Sequence, residues 1–253
     1  QAVIALRAGA SALPPTTTVL EAPSAEDTTA IIFANIGIIL MFIGIFTYGT
    51  WVLNGVVEEK QSRVVEVILA TVHPRDLLMG KVLGIGLLAL AQLAVLVLAG
   101  ITIAQLSGRL TLPATTTGAV IQLLGWFILG FAFYSTAMGF LGALASRVED
   151  ASNASLPVTM VATLAYMLSI VFVTQEPGGI LARVMTFLPP SAPMVVPLRA
   201  ALGTIEPWET ALSVAIMLVA IWSLFVIGGR VYSGAVLQTG GRIRLRDAWR
   251  ASR

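Results

Sequence analysis

Five long hydrophobic runs without any charged residue dominate the pattern of hydrophobic and polar positions along the chain. They cover approximately residues 30–56, 82–106, 118–145, 155–174 and 210–229. A helix needs about 20 mainly apolar residues to cross a bilayer, and a helix satisfies its own backbone hydrogen bonds in hydrocarbon. The pattern therefore predicts an all-α membrane protein, a polytopic helical bundle with five spans in this chain.

The composition supports a membrane protein and excludes several other classes. Of the 253 residues 57% are hydrophobic and 11% are charged, whereas about 25% of the residues in soluble domains are charged. The net charge of +2 provides no broad basic surface for nucleic acid. The chain has no cysteine and one histidine, His73, so it has neither thiolate ligands nor a histidine pair. We therefore expect no nucleic-acid partner, no metal site and no catalytic residue.

The basic residues lie mainly in alternate connecting segments. Four of them lie between the first two runs, Arg147 lies between the third and fourth, and six lie in residues 230–253. Short cytoplasmic loops retain Lys and Arg, so these segments are predicted to be cytoplasmic, with the C-terminus inside. The basic tail is expected to anchor on anionic headgroups. The opposite segments carry fewer basic residues over a longer length: Arg7, Arg109, Arg183 and Arg199.

Residues 1–29 are a polar segment with several prolines and threonines, which this topology places on the extracytoplasmic side. The segment has neither the charged n-region nor the apolar h-region of a signal peptide. We therefore expect that upstream sequence, including another span, precedes it and brings the total to six. Residues 1–29 are then the end of a truncated outer region, and residues 30–253 form the transmembrane domain.

The predicted cytoplasmic segment at residues 57–81 concentrates both signs of charge. Opposite its charged side, an apolar stripe with helical spacing is formed by Val64, Val65, Ile68, Leu69 and Val72. Pro74 is predicted to end this surface helix, with a short turn leading on to Gly80 and Lys81. Two interpretations remain open: an interfacial helix that only connects two spans, or a polar contact surface for a soluble partner.

The predicted outer segment at residues 175–208 is too long and too apolar for a simple loop. One helical face is indicated by Ile180, Leu181, Val184, Met185 and Leu188. Pro189 and Pro190 are predicted to stop this helix, and Pro193 and Pro197 to break the next stretch of chain. The pattern predicts two short re-entrant or interfacial helices, either a lid at the outer mouth or a surface loop without a gating role.

The sequence EEKQSRVVEVILATVHPRDLLMGKVLG, at residues 58–84, resembles the signature of ABC-2-type exporter permeases, in the branch that includes the sodium-efflux permeases. Later segments are similar to the same family in the same order: residues 147–155, 188–194, 197–199, Arg230-Val-Tyr and Gly241-Arg-Ile-Arg. The similarity covers nearly everything from the first span to the end. It implies the fold of a type-2 ABC exporter transmembrane domain.

The resemblance also implies a function and its partners. The chain would be the permease subunit of an ATP-driven exporter in a bacterial plasma membrane, moving an amphiphilic, drug-like, lipid-like or ionic substrate outward by alternating access. Residues 57–81 would be the coupling helix that docks on a cytoplasmic ATP-binding subunit, and residues 175–208 would form a lid. A second permease half, identical or different, would complete the transporter. The residues assigned to the ATP-binding subunit are Glu58, Glu59, Lys60, Arg63, Glu66, Gly80 and Lys81.

The chain is not expected to hydrolyse ATP, because it has no G-x-x-x-x-G-K-[ST] motif. ATP and Mg would bind to the partner subunit, and no cofactor to this chain. Two alternatives remain: a secondary transporter or channel without an ATPase partner, and a membrane-embedded enzyme. A secondary transporter or channel usually needs ionisable groups within the membrane. A membrane-embedded enzyme needs a serine with a histidine, a pair of aspartates or a bound metal. The uncharged runs therefore favour the exporter.

Overall fold

The computed structural model describes residues 25–62, 74–107, 116–145 and 147–236. These ranges contain no strand and form seven helices: α1 (Ala25–Gln61), α2 (Pro74–Ser107), α3 (Thr116–Leu144), α4 (Val148–Gln175), α5 (Ile180–Phe187), α6 (Ala192–Ala201) and α7 (Pro207–Val236). Five of the helices, α1, α2, α3, α4 and α7, are long and apolar enough to cross a membrane. The prediction of an all-α protein with five spans is confirmed.

Helix α3 is the central element of the bundle. In its most apolar stretch 56% of the residues are buried, against at most 28% in any other span. Its buried aromatic residues Trp126, Phe127, Phe131 and Tyr134 are among the largest side chains of the core. Helices α1, α6 and α7 pack around it. The outer sides of the other spans carry exposed Leu, Ile, Val and Met side chains, as expected of helices whose solvent is hydrocarbon.

The described helices meet at two ends of the bundle. At the Lys60 end, α1 and α3 finish and α2 and α4 begin. At the Arg199 end, α2 and α4 finish, α3 and α7 begin, and the short helices α5 and α6 lie between α4 and α7. The sequence prediction assigns the Lys60 end to the cytoplasm.

The connection between the first two spans differs from the predicted one. Helix α1 continues beyond the uncharged run to Gln61, and α2 begins at Pro74 and passes through Gly80 without a break. Proline is well suited to the first position of a helix, where its missing N–H has no helical partner in any case. Pro74 therefore starts a span rather than preceding a separate turn. The predicted apolar stripe at residues 64–72 lies outside the described residues.

The segment at residues 175–208 contains two short helices, α5 and α6. Pro193 lies in the first turn of α6 and Pro197 lies inside it, so these prolines are accommodated in a helix rather than breaking the chain. Most side chains of α6 are buried against α3 and α1. Of the five apolar residues predicted to form one face of α5, only Met185 is buried.

Candidate functional site

Lys60 connects the end of α1 to the end of α3. Its Nζ donates a hydrogen bond of 2.9 Å to the carbonyl oxygen of Ala143, and lies 3.4 Å from that of Ala145. Helix α3 ends at Leu144, so the carbonyl of Ala143 belongs to its last turn and that of Ala145 follows directly. The last carbonyls of a helix lack helical N–H partners and carry negative partial charge. The lysine side chain is buried, and its ammonium caps the carboxyl terminus of α3.

A neighbouring ion pair connects α1 to α2. The Nζ of Lys81 lies 2.8 Å from Oε2 of Glu59, and both side chains are largely shielded from solvent. Gly55 lies one helical turn before Glu59, and a Cβ there would be 3.1 Å from the same ammonium. The absence of a side chain at Gly55 leaves room for Lys81. Three spans are therefore joined by charged side chains at the Lys60 end.

The residues assigned by resemblance to the ATP-binding subunit fall into three groups in the structure. Glu59, Lys60 and Lys81 bind to groups of this chain. Glu58 and Gly80 are exposed, and nothing lies within 4 Å of where a Cβ of Gly80 would be. The other two, Arg63 and Glu66, lie outside the described residues. The Lys60 end thus combines internal connections with an exposed surface.

The Arg199 end contains a fully buried guanidinium that the sequence analysis did not single out. The Nε of Arg199 donates to the carbonyl of Pro177 at 3.0 Å, and Nη1 donates to Oγ1 of Thr186 at 2.8 Å. Its Nη2 donates to the carbonyl of Thr204 at 2.7 Å and pairs with Oε2 of Glu209 at 2.9 Å. Every nitrogen of the side chain has an acceptor, which makes a buried charge tolerable.

Glu209 is the second member of this cluster, and it also binds a more exposed arginine. Its Oε1 lies 3.1 Å from Nε of Arg183, whose side chain is 55% exposed, while Glu209 itself is 1% exposed. The backbone N–H of Glu206 donates to Oε2 at 3.2 Å. Ser213 of α7 donates to the carbonyl of Thr186 on α5 at 2.5 Å. Polar contacts therefore hold α5, α6 and the start of α7 together.

The sequence contains a signal for this cluster that lies outside the five uncharged runs. Arg183 and Arg199 lie in predicted outer segments, Arg199 within the family-like segment 197–199, and the predicted fifth run begins at residue 210, directly after Glu209. The span in the structure begins at Pro207 and includes Glu209. A single arginine within the apolar, proline-containing stretch 188–202 is the detectable signal, because a charge in such surroundings needs a partner.

An apolar groove opens near the Arg199 end between α1, α2, α3 and α6. Its volume is about 340 Å³, and its walls include Phe33, Leu96, Leu123 and Pro197, with the hydroxyl of Ser107 as a polar group. No charged side chain lines it. The groove has the size and character to accept a hydrocarbon group.

Comparisons with known proteins identify one matching family and two similar proteins. A family model described as ABC-2 family transporter protein matches residues 4–230. The uncharacterized protein YhaP of Bacillus subtilis (strain 168) is 31% identical over 211 residues, which are 79% of this chain and 50% of that protein. The uncharacterized protein MJ1024 of Methanocaldococcus jannaschii is 29% identical over 207 residues, 79% of this chain and 48% of that protein. The chain spans about half the length of these curated relatives. No solved structure matches the chain.

Proposed function

The chain belongs to the ABC-2 family of transporters, and on that premise we propose that it is the permease subunit of an ATP-driven exporter. Permeases of this family generally work with an ATP-binding subunit. The Lys60 end would face the cytoplasm of a bacterial cell and bind that subunit. A second permease half, identical or different, would complete the membrane domain.

The proposal rests on contacts made by charged side chains that precede and follow residues 63–73 in the chain. In the sequence this segment follows α1, which ends at Gln61, and precedes α2, which begins at Pro74. The Glu59–Lys81 ion pair joins the same two helices. Lys60 extends the connection to α3. A partner that moves this segment would therefore move three spans together. Such movement could shift the balance between inward-open and outward-open packing.

The seven residues assigned by resemblance would then have two kinds of role. The exposed Glu58 and Gly80 are proposed to contact the ATP-binding subunit, together with Arg63 and Glu66. The remaining three are proposed to be positioning residues, which transmit motion because they are bound to neighbouring spans: Glu59, Lys60 and Lys81.

Among the substrate classes considered, the apolar groove favours an amphiphilic or lipid-like substrate. Its lining offers contact to hydrocarbon and no charged partner for a desolvated ion. ATP and Mg would bind to the partner subunit, and the substrate would be carried outward by alternating access between the two permease halves.

Reversing the charge of one member of the Glu59–Lys81 pair should uncouple the permease from the ATP-binding subunit. We expect Glu59→Lys and Lys81→Glu each to lower permease-stimulated ATPase activity about fivefold or more, because each places like charges together where two spans are joined. The double exchange should recover most of the activity, since interaction energies between contacting residues are about 0.5–3 kcal/mol. The measurement is ATPase activity of the full-length protein, purified with its ATP-binding subunit and reconstituted in vesicles.

Glu149→Lys is the matched control, because it makes the same charge change at an exposed position in the first turn of α4, also at the Lys60 end. Its activity should stay near that of the unmodified protein. If the double exchange does not recover activity, the ion pair does not transmit motion between the ATP-binding subunit and the spans. Purification of the unmodified protein without any ATP-binding subunit would overturn the exporter itself, in favour of a secondary transporter or channel.

A further inference from the structure

One face of α5 is apolar and uncovered by any described residue. Three small or medium side chains point into the bundle: Ala182, Met185 and Thr186. The opposite face is formed by four apolar side chains, each about half exposed or more: Ile180, Leu181, Val184 and Leu188. An amphipathic helix with its apolar face turned away from the protein is typical of a helix that contacts the boundary of a bilayer.

Arg183 lies at the edge of this exposed face and is held in a fixed orientation. Its Nε pairs with Oε1 of Glu209, and the other carboxylate oxygen of Glu209 pairs with Arg199. The contact given for this pair is made through Nε of Arg183, and the side chain of this arginine is 55% exposed. A guanidinium presents its N–H groups in a rigid planar fork that matches two oxygens of a phosphate.

Trp208 adds a third feature of a lipid boundary beside the same helix. It lies in the first turn of α7, is largely exposed, and stacks on Phe187 of α5 with ring centroids 6.2 Å apart. Tryptophan side chains are enriched at the depth of lipid headgroups because the indole is apolar with one polar N–H. The indole, the guanidinium and the apolar face therefore lie together at one edge of the Arg199 end.

We propose that this surface binds an anionic phospholipid, whose phosphodiester charge is not balanced by a cationic headgroup. An acyl chain lies along the exposed face of α5, and the lipid phosphate accepts hydrogen bonds from the Nη groups of Arg183. Glu209 balances the buried Arg199, so the exposed Arg183 offers one positive charge to the negative charge of an anionic phospholipid. Glu176 and Glu206 are also exposed at this end, so the end as a whole is not basic and the proposed recognition rests on the guanidinium of Arg183. This site depends neither on an ATP-binding subunit nor on the direction of transport.

These 253 residues contain no cysteine, so a single label can be placed in them once any cysteine elsewhere in the full-length protein has been replaced by serine. In the full-length protein, Val184→Cys is labelled with a bimane fluorophore, and the protein is reconstituted in phosphatidylcholine vesicles that contain brominated phosphatidylglycerol or brominated phosphatidylcholine. We expect brominated phosphatidylglycerol to quench the label at an about fivefold lower membrane fraction, the effect of one basic residue near anionic lipid. Arg183→Gln should remove this preference. Arg183→Lys should retain part of it, because it keeps the charge and loses the fork.

Two controls isolate the contact at Arg183. A label at Leu164→Cys, on an exposed part of α4, should be quenched equally by both lipids and should not respond to Arg183→Gln. Arg147→Gln removes the charge of an exposed arginine at the Lys60 end and should leave the preference at Val184→Cys unchanged.

Three results would overturn the proposal. The first is equal quenching by the two lipids, or a preference that survives Arg183→Gln, since either removes headgroup recognition. The second is the absence of quenching by both lipids, together with disulfide formation between two copies of the unlabelled Val184→Cys protein on addition of a mild oxidant, which assigns the face to a second copy of the chain. The third is a preference that is lost when inorganic phosphate is added, which assigns the fork to soluble phosphate.

Discussion

Glu209→Gln is expected to lower the free energy of unfolding by about 3–5 kcal/mol, the usual result of removing one partner from a buried ion pair. Glutamine keeps the shape of the side chain and one acceptor oxygen. It leaves the guanidinium of Arg199, which has no exposed surface, without a counter-charge. The measurement is thermal or denaturant unfolding of the purified protein in detergent micelles, with the folded fraction after extraction as a second readout.

The loss should be large because Arg199 holds several segments at once. Its other donors bind Pro177 before α5, Thr186 within α5 and Thr204 after α6. An uncompensated charge would force α6 to move away from α5 and α7 or admit water between them. The arginine is tolerated in an otherwise apolar helix because each of its three nitrogens has an acceptor and its charge has a counter-charge.

Two variants decide whether charge pairing is the cause. Arg183→Gln removes the other, half-exposed partner of the same carboxylate, and should cost at most about 1 kcal/mol. The double variant Arg199→Met with Glu209→Leu removes both buried charges, and should recover most of the loss, because apolar replacements of a buried pair are often neutral or stabilising. A Glu209→Gln protein as stable as the unmodified one would show that the pair does not hold α6 in place.

The five spans are predictable because the bilayer imposes one simple condition on them. A run of about 20 uncharged apolar residues satisfies that condition almost independently of its neighbours. The limits of the helices are a different matter. Helix α1 extends through Glu58, Glu59 and Lys60, since a helix can continue into polar surroundings after its apolar run has ended. Lys60 is buried there by the end of α3, eighty-three residues further along the chain, and no local pattern encodes that contact.

The face of α5 shows a second limit of pattern reading in membranes. The spacing correctly indicates a helix from Ile180 to Phe187. In water the apolar face of such a helix would pack on the protein. In this bundle the small and hydroxyl-bearing residues Ala182 and Thr186 face the protein and the larger apolar residues are exposed, because hydrocarbon solvates leucine as well as a protein core does. The helical spacing of the apolar residues identifies which side chains share a face of α5, but not whether that face contacts the protein or its solvent.

The sequence indicates that Arg199 needs a partner, but for a topological reason it does not identify that partner as Glu209. The two residues are ten positions apart on different helices, and they meet only because α6 folds back into the bundle before α7 begins. Pro193 and Pro197 indicated a broken chain, yet α6 is helical through both. The position of α6 against α3 is visible in the structure at Gly130, where a Cβ would lie 2.8 Å from the side chain of Pro193.

Gly142→Ala is expected to destabilise the protein by about 1–3 kcal/mol, the range found when extra atoms are forced into a packed core. A Cβ at this position would lie 2.8 Å from the backbone carbonyl oxygen of Leu53 and 3.4 Å from its Cα. A backbone atom cannot be moved by a change of rotamer, so α1 and α3 would have to separate. Small residues at helix interfaces in membranes permit such close backbone approach, and this is the crossing between the two most closely packed spans of the bundle.

Gly125→Ala provides the matched control in the same helix. No atom lies within 4 Å of where its Cβ would be, and alanine is favoured over glycine inside a helix by about 0.5–1 kcal/mol. The same substitution should therefore lower the unfolding temperature at position 142 and leave it unchanged or raise it at position 125. If both variants raised it, helix propensity would outweigh packing at Gly142, and α1 and α3 would have to be further apart than the structure places them. If the two shifts have opposite signs, the close contact of α1 with α3 is established independently of any transport assay.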